Sequence, residues 1–178
     1  LNPGSYWLVV ARLEPDNNIH VIVDAYLNGR SEAPLVIVGG FSSPGFERRI
    51  KRMIDASAKG RKVVFTGPIF DRRALQMLRC HCMAYLHGHS VGGTNPSLLE
   101  AMGAGNVIVA HDNVFNREVC RDAAFYFDSA SGLSVIMDEI NADTSRLIPM
   151  KTVVKDRAHS EYQWDGVADL YVEMVDGR

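Results

Sequence analysis

Six short apolar runs, separated by amphipathic stretches, restrict what this chain can fold into. They are YWLVVA at 6–11, LVIVG at 35–39, VVFTG at 63–67, MAYLH at 83–87, NVIVA at 106–110 and AFYF at 124–127. Each is apolar on successive positions. A strand with one wet face alternates, whereas a strand covered on both faces reads as a continuous run. The intervening stretches carry helical spacing. FERRIKRMIDASAKG reads as a helix that ends at Gly60, with RRIKR at 48–52 as its solvated face. Strand and helix alternating with short links predict a Rossmann-like, doubly wound α/β fold with a parallel sheet. The tail after Leu147 is helical by pattern. No repeat or linker interrupts the chain, so residues 1–178 read as one domain.

Composition narrows the function. The chain has 178 residues, of which 47% are hydrophobic, and its formal charge is −2. That charge offers no electrostatic attraction to nucleic acid or to an anionic membrane. No run is long enough to span a bilayer. Three cysteines form no disulfide framework and fit a reducing compartment. The abrupt opening at LNPGSYWLVVAR reads as the start of an excised piece.

In doubly wound sheets, ligands bind beyond the carboxyl ends of the strands. Those ends carry Arg12 and the turn EPDNN, then Gly39 and Gly40, then Gly67, Pro68, Ile69 and Phe70, then His87 and His89. The richest segment is HGHSVGGTNPSLLEAMGAG at 87–105. Asn95 suits an N-cap and Pro96 the first helical position. Gly92 and Gly93 let backbone approach a ligand. Amides at that helix start are expected to face an anion such as phosphate. Glu100, about a turn further in, is placed to accept hydroxyl hydrogen bonds. Read alone, each residue has a plainer role. Asn95 could simply cap a helix, Arg12 could pair with Glu14, and Glu100 could be solvated. Cys80, His81, Cys82, His87 and His89 do not match the paired loops of structural zinc. Cys80 and Cys82 read instead as small buried hydrophobes.

The order VVARLEPDNNIHVIVDAY, LVIVGG, VVFTGPIFDRRALQMLRCHCMAYLHGHSVGGTNPSLLEAMGAG, NVIVAHDNVFNREV resembles the C-terminal half of a GT-B glycosyltransferase. The nearest resemblance is to glycosyltransferase family four, and the closing EYQWDGVADLYVEM also fits. HGHSVGGTNPSLLEAM is similar to bacterial rhamnosyltransferases of capsule and exopolysaccharide assembly. The resemblance implies a retaining transferase that moves a hexosyl group, rhamnosyl being one candidate, from a nucleotide diphosphate sugar to a glycan or lipid-linked acceptor. It implies no cofactor and no metal. The acceptor would be held by an N-terminal domain outside this chain, leaving this half inactive alone. A cytoplasmic location, at the inner face of a bacterial membrane, is implied as well.

The resemblance also assigns roles. Arg12 would bind the donor diphosphate, and Glu100, the second acid of a Glu-x7-Glu signature, the nucleotide ribose; these two are the expected catalytic residues. Gly93, Thr94 and Asn95 would offer amides to the phosphate and sugar. Ile69 would hold the base, with Gly39, Gly40 and Gly67 at neighbouring strand ends. Two positions depart from the family. Asn17 stands where a lysine is usual, and Gly92 stands where the first acid of the signature is usual. His89 is close enough to fill part of that space. A non-catalytic nucleotide-binding module and a GT-B-fold epimerase or phosphorylase fragment remain as alternatives.

Overall fold

All six apolar runs form strands, and every pairing between them is parallel. The computed structural model describes residues 2–57, 60–143 and 147–162. The strands are β1 (Trp7–Val10), β2 (Leu35–Val38), β3 (Val63–Gly67), β4 (Ala84–His87), β5 (Ile108–His111) and β6 (Ala124–Phe127). Their order across the sheet is β3-β2-β1-β4-β5-β6. The order reverses between β1 and β4, which is the switch point of a doubly wound sheet. Pairing there is short: Trp7 faces Ala84 and Leu8 faces Tyr85, and the ladder stops. The carboxyl ends of β1 and β4 therefore part and leave a crevice.

The helices are α1 (Ile19–Asn28), α2 (Pro44–Asp55), α3 (Arg72–His81), α4 (Pro96–Gly103), α5 (Val114–Cys120), α6 (Ala130–Ala142) and α7 (Leu147–Glu161). Side chains alternate across each strand, so both sheet faces are apolar. Trp7, Val9, Leu35 and Ile37 pack with α1, α2 and α6 through Ile22, Ile50 and Leu133. Leu8, Val36, Tyr85 and Ile108 pack with α4, α5 and α7 through Leu98, Val119 and Val154. Leu8 is completely buried. Truncating such a leucine to alanine costs about 2–5 kcal/mol.

One boundary differs from expectation. α2 ends at Asp55, five residues before Gly60. Ile54 is its last side chain packed against the core. Gly60, with φ +60°, belongs to the loop into β3. The helical tail is present as α7 through Glu161, while EYQWDGVADLYVEM lies outside the described residues from 163 onward.

Candidate functional site

A cleft of about 620 Å³ opens where β1 and β4 part. Two glycines allow its walls to close together. A Cβ on Gly39 would lie 1.8 Å from the Ala11 carbonyl oxygen, and φ there is +146°. A Cβ on Gly88 would lie 2.2 Å from the Asn17 carbonyl oxygen. The turn after β1 thus sits directly against the loop after β4. Asn18 Nδ2 donates to Gly88 O at 2.9 Å, and the Ser90 amide and hydroxyl donate to Asp16 O at 3.0 and 2.7 Å. Asn113 and Asn116 Nδ2 hold the other side, donating to His89 O at 2.9 and 3.0 Å.

Arg12 emerges at the end of β1 with its side chain 73% exposed, 3.7 Å from Glu14. A pair so exposed adds little to stability, so the guanidinium is available to a ligand. Asn17 is buried, and its amide is fully engaged. Nδ2 donates to Arg12 O at 2.8 Å and to Glu14 Oε1 at 3.3 Å. Its Oδ1 therefore faces His89 Nδ1, at 2.7 Å. That geometry puts a proton on Nδ1 and turns Nε2 toward Gly92, whose missing Cβ would lie 3.5 Å away. Asn17, one of the two positions expected to depart from the family, is thus hydrogen-bonded to His89, whose ring reaches the other, Gly92.

α4 begins as its sequence predicts, but its first turn is closed. Asn95 Oδ1 accepts from the Ser97 amide at 2.9 Å, Asn95 O accepts from Leu98 and Leu99, and Pro96 has no N–H. The expectation of anion-binding amides at the helix start is corrected accordingly. The amides of Gly92, Gly93, Thr94 and Asn95, in the loop just before it, have no partner among the described residues. The helix axis still directs its positive end at that loop.

Glu100 faces the cleft, and a partner hidden from sequence reading meets it there. Arg79 of α3 is only 4% exposed and bonds Glu100 Oε2 and, at 3.4 Å, Ser97 Oγ. Leu75, Leu78 and Cys82 share its face, so the spacing i, i+3, i+4, i+7 could have flagged it as an inward-facing charge. Ser97 Oγ and Tyr85 Oη lie 2.8 Å apart, each 3.1 Å from Val10 O. These contacts pin the first turn of α4 to the end of β1. Burial pushes the Tyr85 phenol up to about 12, so it stays a neutral hydroxyl. His87, buried at the end of β4, has no partner for Nε2 among the described residues. Burial first, and then the His89 ring, lower its pKa to about 3, so it stays neutral too.

The cleft collects Arg12, Asn17, Gly39, Ile69, His89, Asn95 and Glu100 of the expected residues. Gly40, Gly67, Gly92, Gly93 and Thr94 are not in its lining. Gly92, Gly93 and Thr94 form the exposed loop leading into Asn95, and Gly67 O accepts from the Gly39 amide at 3.0 Å. Arg79, Ser97, His87 and Gly88 line the cleft in addition. Cys82 and Cys120 are buried, but Cys80 is exposed, which corrects its reading as a core residue. It follows Arg79 on α3 and so turns to the solvent side. Among the described residues, no group of three or more His, Cys, Asp or Glu side chains could hold a metal ion. No helix among them is long and apolar enough to cross a membrane.

A parallel six-stranded sheet with a cleft at its switch point defines a Rossmann-like domain of the kind found as the C-terminal half of GT-B glycosyltransferases. The chain belongs to the Glycosyl transferases group 1 family, whose model matches residues 3–140. No curated protein matches the sequence. Among solved structures, Anabaena HepE in complex with UDP superposes with a TM-score of 0.86 at 17% identity, covering 98% of this chain and 49% of that one. The C-terminal domain of LpcC, a group 1 glycosyl transferase from Francisella tularensis, gives 0.80 at 14% identity, covering 92% of this chain and 89% of that one. The catalytic domain of the Helicobacter pylori cholesterol-α-glucosyltransferase gives 0.75 at 22% identity, covering 89% and 99%. The chain spans about half the length of HepE.

Proposed function

We propose that this chain is the donor-binding half of a retaining, metal-independent family-four glycosyltransferase. One arrangement carries the reading: Arg12, Asn95 and Glu100 line a single cleft at the switch point, and the exposed loop of Gly92, Gly93 and Thr94, whose amides have no partner among the described residues, leads into Asn95. A guanidinium and a row of amides suit a diphosphate. Glu100 then accepts ribose hydroxyls, and Ile69 supports the base. HepE, a structural neighbour, was crystallised with UDP and with UDP-glucose, which supports a nucleotide sugar here.

In the reaction, the bond between the anomeric carbon and the diphosphate oxygen breaks, and the diphosphate keeps the electron pair. The acceptor hydroxyl bonds to the anomeric carbon, and its proton passes to the oxygen of the leaving diphosphate. Arg12 and the loop amides stabilise the charge that builds on the leaving diphosphate. The acceptor, a glycan or lipid-linked sugar, is held by a facing domain at the inner face of a bacterial membrane, so this half is inactive alone. The segment HGHSVGGTNPSLLEAM and Gly92 in place of an acid favour a deoxy sugar such as rhamnose. A second reading, a module that binds a nucleotide without catalysis, is favoured by Asn17, whose amide is spent on the protein.

Calorimetric titration of wild type and Glu100→Gln with UDP and dTDP tests the assignment. Uridine offers two ribose hydroxyls and thymidine one. The variant should lose more for UDP than for dTDP, by at most about 1.5–3 kcal/mol, the worth of a hydrogen bond to a charged group. Equal, negligible losses would leave Glu100 a solvated helix residue.

A further inference from the structure

Arg79 is an unusual residue for its position. It lies on the inward face of α3, among Leu75, Leu78 and Cys82, and is almost entirely buried. Burying a guanidinium is unfavourable unless it is paired, and an apolar residue of like volume usually serves stability as well or better. Its pairing is also incomplete, since Nε is buried with no partner among the described residues. The side chain is therefore poorly explained by packing alone. What it does reach is specific: Glu100 Oε2 and Ser97 Oγ, both at the cleft.

Glu100 is the opposite case. Its side chain is 56% exposed and would sample several rotamers if left alone. Arg79 holds one carboxylate oxygen and leaves Oε1 with no protein partner among the described residues. Arg79 cannot move far, because the core encloses it. Ser97, its second contact, is tied to the Val10 carbonyl and the Tyr85 hydroxyl, so Arg79 Nη2, which donates to both Glu100 and Ser97, is fixed against β1 and β4. A carboxylate prepared in this way loses little conformational freedom when a ligand arrives.

We infer that Arg79 is the positioning residue of the nucleoside subsite: it locks the Glu100 carboxylate so that its second oxygen is presented to ribose hydroxyls. The inference rests on the proposed role of Glu100. It assigns Arg79 no contact with the diphosphate, and this separates it from Arg12.

The test is a double-mutant cycle on the full chain, read by calorimetry with UDP and with inorganic pyrophosphate. Glu100→Gln should weaken UDP about 10- to 100-fold, the scale of a hydrogen bond to a charged group. Arg79→Met should weaken UDP to a similar degree, and the two changes together should lose no more than the larger alone. Pyrophosphate, which has no ribose, should bind all three variants as it binds wild type. Arg79→Lys keeps the charge but not the planar guanidinium that directs Nη2, and should fall between wild type and Arg79→Met. It also supplies the comparison if the methionine variant does not fold. If Glu100→Gln leaves UDP unchanged, the assignment of the ribose site fails, and the inference with it. If Glu100→Gln weakens UDP but the Arg79 variants do not, only the inference fails. Equal losses for UDP and pyrophosphate in the Arg79 variants would also overturn it, because they would mark general damage or a direct phosphate contact.

Discussion

Gly88→Ala should damage stability and ligand binding together, for a reason set by a single contact. Gly88 is buried at the end of β4, and it is not among the glycines with positive φ. Alanine therefore meets no backbone strain there, and the whole effect comes from space. The new methyl would lie 2.2 Å from Asn17 O, 3.0 Å from Asn17 C and 3.0 Å from Ile22 Cδ1. The turn after β1 and the loop after β4 would have to separate by roughly 1 Å to restore van der Waals contact. Overpacking of this kind costs about 1–3 kcal/mol. The separation also stretches the bonds from Asn18 to Gly88 O and from Ser90 to Asp16 O, worth about 1 kcal/mol each. A loss of about 3–5 kcal/mol follows, or roughly 6–20 °C in Tm for a domain of this size. Urea denaturation gives the free energy, and titration with a nucleoside diphosphate gives the affinity. Both should fall, since Asn17 and His89 line the cleft on the two sides of this contact. A midpoint within about 0.5 kcal/mol of wild type, the scatter of ordinary surface changes, would refute the close approach.

Other consequences are separable. Arg12→Ala should weaken diphosphate binding by about 1.5–3 kcal/mol and leave the denaturation midpoint nearly unchanged, because only an exposed pair with Glu14 is lost. His87 has its folded pKa lowered to about 3, below the ordinary histidine value, so between these values the unfolded chain binds the extra proton. Its contribution to stability is complete above the ordinary value and falls as pH drops toward 3, by up to about 1.4 kcal/mol per unit. Burial lowers His20 and His111 in the same direction, so the comparison is with His87→Gln, whose stability should drop less between pH 6.5 and 4.5. Burial pushes the Cys82 and Cys120 thiols up to about 12, while Cys80 is exposed. A thiol reagent at pH 8 should label Cys80 rapidly and the other two only after denaturation; rapid labelling of all three would contradict the packing.

The apolar runs revealed the sheet because burial on both faces leaves a continuous signature. VVFTG and AFYF match β3 and β6 residue for residue, and the other runs err by one or two positions at their ends. Asn95-Pro96 marked the start of α4 because capping is local chemistry. The sequence was less informative where a structural feature depends on distant partners. Gly60 resembled a helix stop, but α2 ended where its core contacts did. Asn95 as a cap implied open amides, yet its own carbonyl and side chain close them. Arg79 looked like one of many helix arginines, since its partner Glu100 is 21 residues away. Gly88 carries no turn signature at all, because what it permits is the approach of Asn17 from the turn after β1.

The central claim is that Arg12, the loop from Gly92 to Asn95, and Glu100 receive one nucleoside diphosphate. The most direct measurement is a crystal structure of the chain soaked with UDP or dTDP in the presence of a chelator. It should show the diphosphate within hydrogen-bond distance of the Arg12 guanidinium and the loop amides, with a ribose hydroxyl on Glu100 Oε1. Nucleotide density elsewhere, or an empty cleft at millimolar ligand with the same fold, would contradict the account.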